Sequence, residues 1–112
     1  MKMIIAVIKP FKLNDVRKAL NLVGVHGMTV TEVQGYGRQK GNTGMYMGAE
    51  FATTFVNKVK LDIAVDESKV DLVVDTILKA AGSGKVGDGK IFVYNVEQVV
   101  RISTNERGAE AI

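Results

Sequence analysis

Hydrophobic and polar positions in the first third of the chain predict a strand, a helix and a second strand. The apolar run from Met3 to Ile8 is short and nearly continuous, which is typical of a central strand buried on both faces. From Thr29 to Tyr36, β-branched residues alternate in part with polar ones, which indicates a second strand. Between these strands, apolar residues recur at helical spacing and end before a glycine: Leu13, Val16, Leu20, Val23 and then Gly24.

The same two patterns return in the second half of the chain. From Phe55 to Val65, apolar and charged residues alternate, which predicts a long strand with one charged face. Ser68 followed by Asp71 resembles a capping box and introduces a helical stripe of apolar residues that ends at Ala81. The run from Ile91 to Val96 predicts a further strand. The predicted order is therefore strand, helix, strand, strand, helix, strand.

Two glycine-rich segments and the C-terminus lack a clear period. Gly37 to Thr54 is long for a connection in so short a chain, which is typical of a functional loop, and Gly82 to Lys90 is the second such segment. Val99 to Ile102 predicts a short edge strand, and Thr104 to Ile112 a loose tail. No repeat or linker divides the chain, so we expect one domain over residues 1–112.

The order βαββαβ is that of the ferredoxin-like fold, an α+β sandwich with an antiparallel sheet and both helices on one face of the sheet. The other face stays open within one chain, although the first strand is apolar at consecutive positions. An apolar face of this kind needs a cover, and the chain has no further domain to supply it. We therefore expect a homo-oligomer in which another copy covers the face.

Composition excludes several kinds of site. The 112 residues include no cysteine, which excludes disulfides, thiolate catalysis and zinc–cysteine sites. His26 is the only histidine, so a histidine metal cluster cannot form within one chain, and we expect an exposed turn residue there. No apolar run reaches the roughly 20 residues of a membrane span, and the N-terminus lacks a signal-peptide pattern. We expect a cytoplasmic protein without direct membrane insertion.

The net charge of +3 permits an anionic ligand without requiring nucleic acid. The glycines of Gly87-Asp88-Gly89-Lys90 allow backbone N–H groups to turn inward as an anion-binding nest beside a lysine. Together with Lys58, Arg38 and Arg101, this loop predicts a phosphate site. A tight turn with surface lysines is the alternative, because the pattern is neither a Walker A motif nor GxGxxG.

The first glycine-rich segment also carries an unusually apolar tip. Adaptable methionine and aromatic side chains in a loop favour contacts with a partner. These side chains are Met45, Tyr46, Met47 and Phe51. Because no serine or threonine has a visible neighbouring base, we expect a binding protein rather than an enzyme.

Five motifs follow one another along the chain: KPFKL at 9–13, GMTV at 27–30, GYGRQKG at 35–41, YMGAEF at 46–51 and GKVGDGKIF at 84–92. Together they resemble the nitrogen-regulatory PII signal-transduction family. The resemblance covers essentially the whole chain, and the last motif is highly specific. It favours the phosphate site over the plain turn.

The resemblance implies a homotrimer that senses ATP or ADP, with Mg²⁺, and 2-oxoglutarate in three clefts between subunits. It implies a T-loop at 37–54, a B-loop at 82–90 and a C-terminal segment at 97–112. Ligand at the base of the T-loop would favour one loop conformation, which requires a differential affinity between conformations. The T-loop would regulate a membrane transporter, the ammonium channel or another, or an enzyme of nitrogen metabolism. A transporter partner would recruit the protein to the membrane.

The resemblance also implies the ligand contacts. The nucleotide would be bound by Val7, Thr29, Gly35, Tyr36, Gly37, Arg38, Gln39, Asp62, Ala64, Gly87, Asp88, Gly89, Lys90 and Arg101. Contacts to 2-oxoglutarate would come from Gln39, Lys40, Gly41, Lys58 and Gly87, and Gln39 would hold Mg²⁺ with ATP. We expect a bulky residue at Gly89, or Lys90→Ala, to weaken nucleotide binding and leave the trimer intact.

The chain departs from the family pattern where regulation is concerned. Phe51 stands at the modifiable tyrosine and has no hydroxyl for nucleotidylation, and Ala49 excludes serine phosphorylation. Met47 stands where many relatives carry the arginine that plugs the ammonium channel, which favours another transporter. Ser103 lacks the charge of a frequent arginine and removes a phosphate contact worth about 1.5–3 kcal/mol. Asp62, often Glu in relatives, is a milder change. The alternative is an adenine-nucleotide energy sensor that no longer responds to 2-oxoglutarate.

Two other functions share this order of elements. An RRM-like RNA-binding module would use aromatic residues such as Phe92 and Tyr94, but it also needs an aromatic residue on the first strand, which MIIAVI lacks. An acylphosphatase-like enzyme would need an arginine–asparagine pair on a phosphate loop after that strand, where KPF stands. Both are disfavoured, and we expect no nucleic-acid partner.

Overall fold

The computed structural model describes residues 1–38 and 53–112, and within them it has the predicted order of strands and helices. The elements are β1 (Lys2–Ile8), α1 (Leu13–Leu22), β2 (Thr29–Arg38), β3 (Thr53–Val65), α2 (Val70–Ala81) and β4 (Gly89–Asn95). Short 3-10 helices cover Pro10–Lys12, Glu67–Lys69 and Gly108–Ala111. The predicted ligand and docking residues Gln39, Lys40, Gly41, Met45, Tyr46, Met47 and Phe51 lie outside the described residues.

The four strands form one antiparallel sheet in the order β2-β3-β1-β4. The strand β1 is central: Ile5 pairs with Asp62 on one side and with Phe92 on the other. The strand β3 extends the sheet to β2, where Thr29 pairs with Asp62. This topology, with its two helices, is the ferredoxin-like α+β sandwich expected from the sequence.

The core lies between the helices and one face of the sheet. Its largest buried side chains are Ile4, Ile8, Val16, Leu20, Leu61, Ile63, Val73 and Ile77. Burial alternates along β1, and the residues between the buried ones are only half-buried. The expectation of a strand buried on both faces is therefore not met within one chain, because the helices cover a single face.

The loops are shorter than predicted because the strands extend into them. The ladder between β2 and β3 continues to the pair Arg38 and Thr53, so both ends of the predicted 37–54 loop belong to strands. Likewise, Gly89 and Lys90 begin β4 and pair with β1, so they are not part of a loop at 82–90. The glycine-rich run predicts a loop up to Lys90, but Gly89 is needed where β4 approaches β1 closely.

Three further local predictions, in two places along the chain, were wrong. Instead of an edge strand at 99–102 there is one isolated bridge between Val100 and Arg107, and the supposed loose tail contains the 3-10 helix Gly108–Ala111. The helix α2 has no side-chain cap from Ser68; instead Asp66 accepts a 3.0 Å hydrogen bond from the Ser68 backbone N–H and caps the preceding 3-10 turn. In both places local hydrogen bonds replaced the predicted pattern.

Among the described parts of the chain, no helix is long and apolar enough to cross a membrane.

Candidate functional site

The sheet face opposite the helices gathers most of the described residues that the sequence assigned to ligands. On β3, Leu61 and Ile63 are buried against the helices, so the alternate residues face the other way. Paired residues of neighbouring strands share a face, which places Val7 with Lys90 and Thr29 with Asp62. The predicted residues on this open face are Val7, Thr29, Gly35, Lys58, Asp62, Ala64 and Lys90.

Tyr36, a further predicted nucleotide contact, lies on the opposite face of β2. Its ring contacts that of Phe55, with 4.9 Å between ring centroids and an interplanar angle of 47°. Both rings are largely exposed. The side chain of Tyr36 thus points away from the residues gathered on the open face, whereas its backbone continues from Gly35.

One end of the open face carries a cluster of cations around the turn that joins α2 to β4. We call residues 82–88 the glycine loop, and Lys9, Lys58, Lys90 and the glycine loop together the loop cluster. The Lys58 ammonium donates a hydrogen bond to the Gly87 carbonyl, and the Lys9 ammonium lies 3.1 Å from Asp88 Oδ1. A β-carbon on Gly35 would lie 3.6 Å from Lys58 Cγ, an ordinary contact, so Gly35 lies beside the lysine stem.

The backbone around Asp88 alternates in the sign of φ, as it does in an anion-binding nest. Gly87 has φ of +98° and Gly89 has φ of +112°, whereas Asp88 between them keeps a negative φ. Alternation of the sign of φ over successive residues turns their N–H groups towards a common point. The Asp88 N–H donates a 3.4 Å hydrogen bond to the Lys85 carbonyl. The N–H groups of the two glycines are therefore the candidate donors for an anion here.

The carboxylate of Asp88 is occupied within the loop. It accepts hydrogen bonds from the Ser83 hydroxyl, from the backbone N–H groups of Ser83 and Gly84, and from Lys9. The hydrogen bonds from the Ser83 hydroxyl and N–H, followed by the contact with Lys9, hold the pKa of Asp88 well below its usual range. Asp88 is therefore charged at neutral pH.

The other end of the open face carries a cavity of about 630 Å³, which we call the C-terminal cavity. Its lining includes three predicted nucleotide residues, Thr29, Asp62 and Ala64, together with His26 and residues of the C-terminal segment. His26 is exposed, as expected, and its Nδ1 lies 2.6 Å from Asn21 Oδ1.

Arg101 is attached to the wall of the C-terminal cavity. Its Nη2 donates a 3.3 Å hydrogen bond to the carbonyl of Ile112, which lines the cavity. Its Nη1 lies 3.5 Å from Glu106 Oε1. Arg101 thus lies in the segment that borders Asp62 and Ala64, and it is a candidate cation for this end of the face.

A single chain does not bring the two ends together. Lys58 and Asp62 are four residues apart on β3, which corresponds to about 13 Å along the strand. The loop cluster therefore supplies donors and cations at one end, and the C-terminal cavity supplies polar side chains and a concave wall at the other. We call the loop cluster and the C-terminal cavity two half-sites.

Comparison with known proteins identifies the family. A family model described as nitrogen regulatory protein P-II matches residues 1–106. The chain belongs to the P-II family. It is 56% identical over 112 residues to a protein of Pasteurella multocida (strain Pm70) named nitrogen regulatory protein P-II, with all of both chains covered. It is 58% identical, again over all 112 residues of both chains, to the protein of Escherichia coli (strain K12) named nitrogen regulatory protein P-II 1. The relatives are regulatory proteins by name.

Two residues near the P-II glycine loop were missed by the sequence analysis. Lys9 and Ser83 both contact the Asp88 carboxylate, yet neither was assigned to the site. Ser83 could have been found, since a serine five residues before an aspartate in a glycine-rich loop is suited to a local hydrogen bond. Lys9 had no such signal, because it lies 79 positions from Asp88 and reaches it only through the pairing of β1 with β4.

Proposed function

We propose that this P-II chain is a signal transducer that binds ATP or ADP, with Mg²⁺, and 2-oxoglutarate in clefts between the subunits of a homotrimer. It regulates a partner, a membrane transporter or an enzyme of nitrogen metabolism, through the T-loop between β2 and β3, and it catalyses no reaction. The observation that carries this proposal is the division of the predicted nucleotide residues into two half-sites on one open face of the sheet.

The two half-sites suit different parts of an adenine nucleotide. The nest around Gly87 and Gly89, with Lys90 beside it, offers donors and positive charge to phosphates. The C-terminal cavity offers Thr29 and Asp62 as hydrogen-bonding partners for the base or the sugar. A neighbouring subunit that presents its C-terminal cavity to the loop cluster of the first would complete the site, which occurs three times in a trimer.

The open face also has the apolar surface that such an assembly would bury. Met3, Ile5 and Val7 of β1 are only half-buried, and Phe92 and Tyr94 of β4 are exposed on the same face. Burying apolar surface of this kind is the main driving force of stable association. Subunit contact and ligand binding would therefore use one continuous face.

The effector 2-oxoglutarate is a dicarboxylate, for which Lys58 is the candidate cation. Its ammonium donates to the Gly87 carbonyl, so it lies at the edge of the phosphate-binding nest. A carboxylate beside Lys58 would also be near Gly35, where β2 runs towards the T-loop. A ligand at this place can bias the T-loop if it binds one loop conformation more tightly than another.

Complementation between two defective variants tests the shared site. Lys90→Ala removes a cation from the loop cluster, and Arg101→Ala removes the cation beside the C-terminal cavity. We expect each variant alone to bind Mg-ATP about tenfold more weakly. In trimers assembled from an equal mixture, a site keeps both cations when its loop cluster comes from an Arg101→Ala chain and its C-terminal cavity from a Lys90→Ala chain. About one site in four should therefore regain parent-like affinity. If each site were contained within one chain, no site in the mixed trimers would regain parent-like affinity.

A further inference from the structure

The glycine loop is organised by one carboxylate. Asp88 Oδ2 accepts the backbone N–H groups of Ser83 and Gly84 at 2.7 and 2.9 Å, and Oδ1 accepts the Ser83 hydroxyl at 2.6 Å. The Lys9 ammonium lies 3.1 Å from the same Oδ1. The carboxylate thus closes the loop from its end onto its beginning, with the positive φ of Gly84 at the turn.

The contact with Lys9 ties the closed loop to the sheet. Lys9 directly follows β1, and its carbonyl accepts a 3.0 Å hydrogen bond from the Lys12 N–H in the next turn, so its backbone is fixed. The side chains of Lys9 and Asp88 are only 23% and 21% exposed, whereas Glu67 in the surface pair with Lys2 is 75% exposed. A partly shielded ion pair is screened less by salt than an exposed one.

This arrangement bears on a ligand that carries phosphates. A free carboxylate next to a polyphosphate would repel it. Asp88 nevertheless lies between Gly87 and Gly89, within the segment proposed to bind phosphate. Because the loop's own N–H groups, Ser83 and Lys9 take up both carboxylate oxygens, the charge of Asp88 is compensated inside the loop. The N–H groups and ammonium groups of the loop cluster that remain can face the phosphates.

We propose that Asp88 and Lys9 are positioning residues of the nucleotide site: they do not contact the ligand, and they hold residues 83–90 in the conformation that binds phosphate. This inference rests on the proposed function, since it takes the nest as the phosphate site. It separates the roles within the GDGK motif, with the backbone and Lys90 binding and the Asp88 side chain shaping the loop.

Asp88→Asn tests the proposal because three possible roles of the carboxylate give different results. A positioning role predicts about tenfold weaker nucleotide binding, equal with and without Mg²⁺, together with about tenfold faster hydrogen exchange at the Ser83 and Gly84 amides of the ligand-free protein. A carboxylate that only repelled phosphate would give tighter binding in the variant. One that held Mg²⁺ would give a loss confined to titrations with Mg²⁺. Either of these results would overturn the proposal.

Variants at Lys9 test the second half of the pair. We expect Lys9→Gln to weaken binding about fivefold and to add little when combined with Asp88→Asn, because both changes break the same contact. Lys9→Arg, which can still pair with the carboxylate, should restore most of the affinity. Full additivity of Lys9→Gln and Asp88→Asn would overturn the coupling.

Two controls keep the readouts separate. Lys79→Gln, on the exposed surface of α2, removes the same charge as Lys9→Gln and should leave binding unchanged. Lys90→Ala should weaken binding without faster exchange at Ser83 and Gly84. If the parent protein binds no nucleotide, the proposed function fails and this role with it. If the parent binds and Asp88→Asn matches it in affinity and exchange, only the positioning role fails.

Discussion

A β-carbon built on Gly89 would lie 1.8 Å from the carbonyl oxygen of Val7 in the neighbouring strand. Gly89 has φ of +112° and pairs with Ile8 at the start of β4. Two requirements therefore fix glycine at this position, the left-handed backbone and the close approach of β1. From the sequence we expected a bulky residue here to weaken nucleotide binding and leave the trimer intact. In the structure such a residue would also force β1 and β4 to shift.

Comparing Gly89→Ala with Gly87→Ala separates these two requirements. Gly87 also has a positive φ, but a β-carbon there would be 3.7 Å from the Lys9 side chain, an ordinary contact. We expect Gly87→Ala to lower the free energy of unfolding by about 1–2 kcal/mol, from backbone strain alone. Gly89→Ala should lower it by about 3 kcal/mol or more, because the strand must also move. Urea denaturation at one fixed protein concentration measures the free energy of unfolding of both variants. Equal losses of stability in the two variants would contradict the close approach of Gly89 to the Val7 carbonyl.

Lys58→Met should remove the response to 2-oxoglutarate. The substitution keeps an unbranched side chain that fits beside Gly35, but it has no ammonium for a carboxylate. We expect ATP affinity to become independent of 2-oxoglutarate in the variant. Lys18→Met, on the exposed surface of α1, is the control for loss of a positive charge. An effect of 2-oxoglutarate that persists in Lys58→Met would show that another cation receives the dicarboxylate.

Acid should destabilise the fold through Asp88. Its pKa is lowered in the folded chain by the hydrogen bonds from Ser83 and by Lys9, so the unfolded chain takes up the proton at higher pH than the folded chain. The stability that these contacts provide is complete above pH about 4 and is lost as the pH falls below that value. Asp66 contributes in the same direction, through hydrogen bonds from Ser68.

Denaturation midpoints measured from roughly pH 6 down to pH 2 test this dependence. We expect Asp88→Asn to be less stable than the parent at pH 6 and to approach it at the acid end, because the variant has no carboxylate to protonate. Parallel curves for the parent and the variant would show that Asp88 is not the group that titrates.

Glu106→Gln should strengthen nucleotide binding. Glu106 Oε1 lies 3.5 Å from Arg101 Nη1, and the side chains of Glu106 and Arg101 are 40% and 43% exposed. Removing the carboxylate frees the guanidinium for phosphate, and since exposed ion pairs are weak, we expect a gain of about twofold to threefold in affinity. Glu110→Gln, in the same segment, controls for the change in net charge. Equal gains in both variants would point to net charge rather than to the release of Arg101.

The sheet, the helices and the open face could be predicted because hydrophobic periodicity reports directly which residues face a core. The alternation around Leu61 and the stripe on α2 are examples. The contact between Lys9 and Asp88 could not be predicted, since it joins residues 79 positions apart and depends on the register of β1 with β4. The C-terminal segment is held by single backbone bonds, such as the 2.9 Å bond from the Gly108 N–H to the Val99 carbonyl, which leave no period in the sequence.

The division of the nucleotide residues into two half-sites also depended on the structure. The family resemblance placed Lys90 and Asp62 in one binding site, but only the strand register shows that they lie on either side of β1, level with Val7 and Ile5 respectively. The boundaries of both loops were misjudged for a related reason. Glycines such as Gly89 serve strand pairing as well as turns, and their number alone does not distinguish the two uses.

Calorimetric titration of the intact protein with Mg-ATP and with Mg-ADP, each with and without 2-oxoglutarate, tests the central proposal most directly. We predict saturable nucleotide binding, and ATP binding that becomes tighter when 2-oxoglutarate is present. Nucleotide binding that is indifferent to 2-oxoglutarate would favour an energy sensor and would locate the change at Ser103 or in the T-loop. Absence of binding by both ATP and ADP would contradict the proposed function.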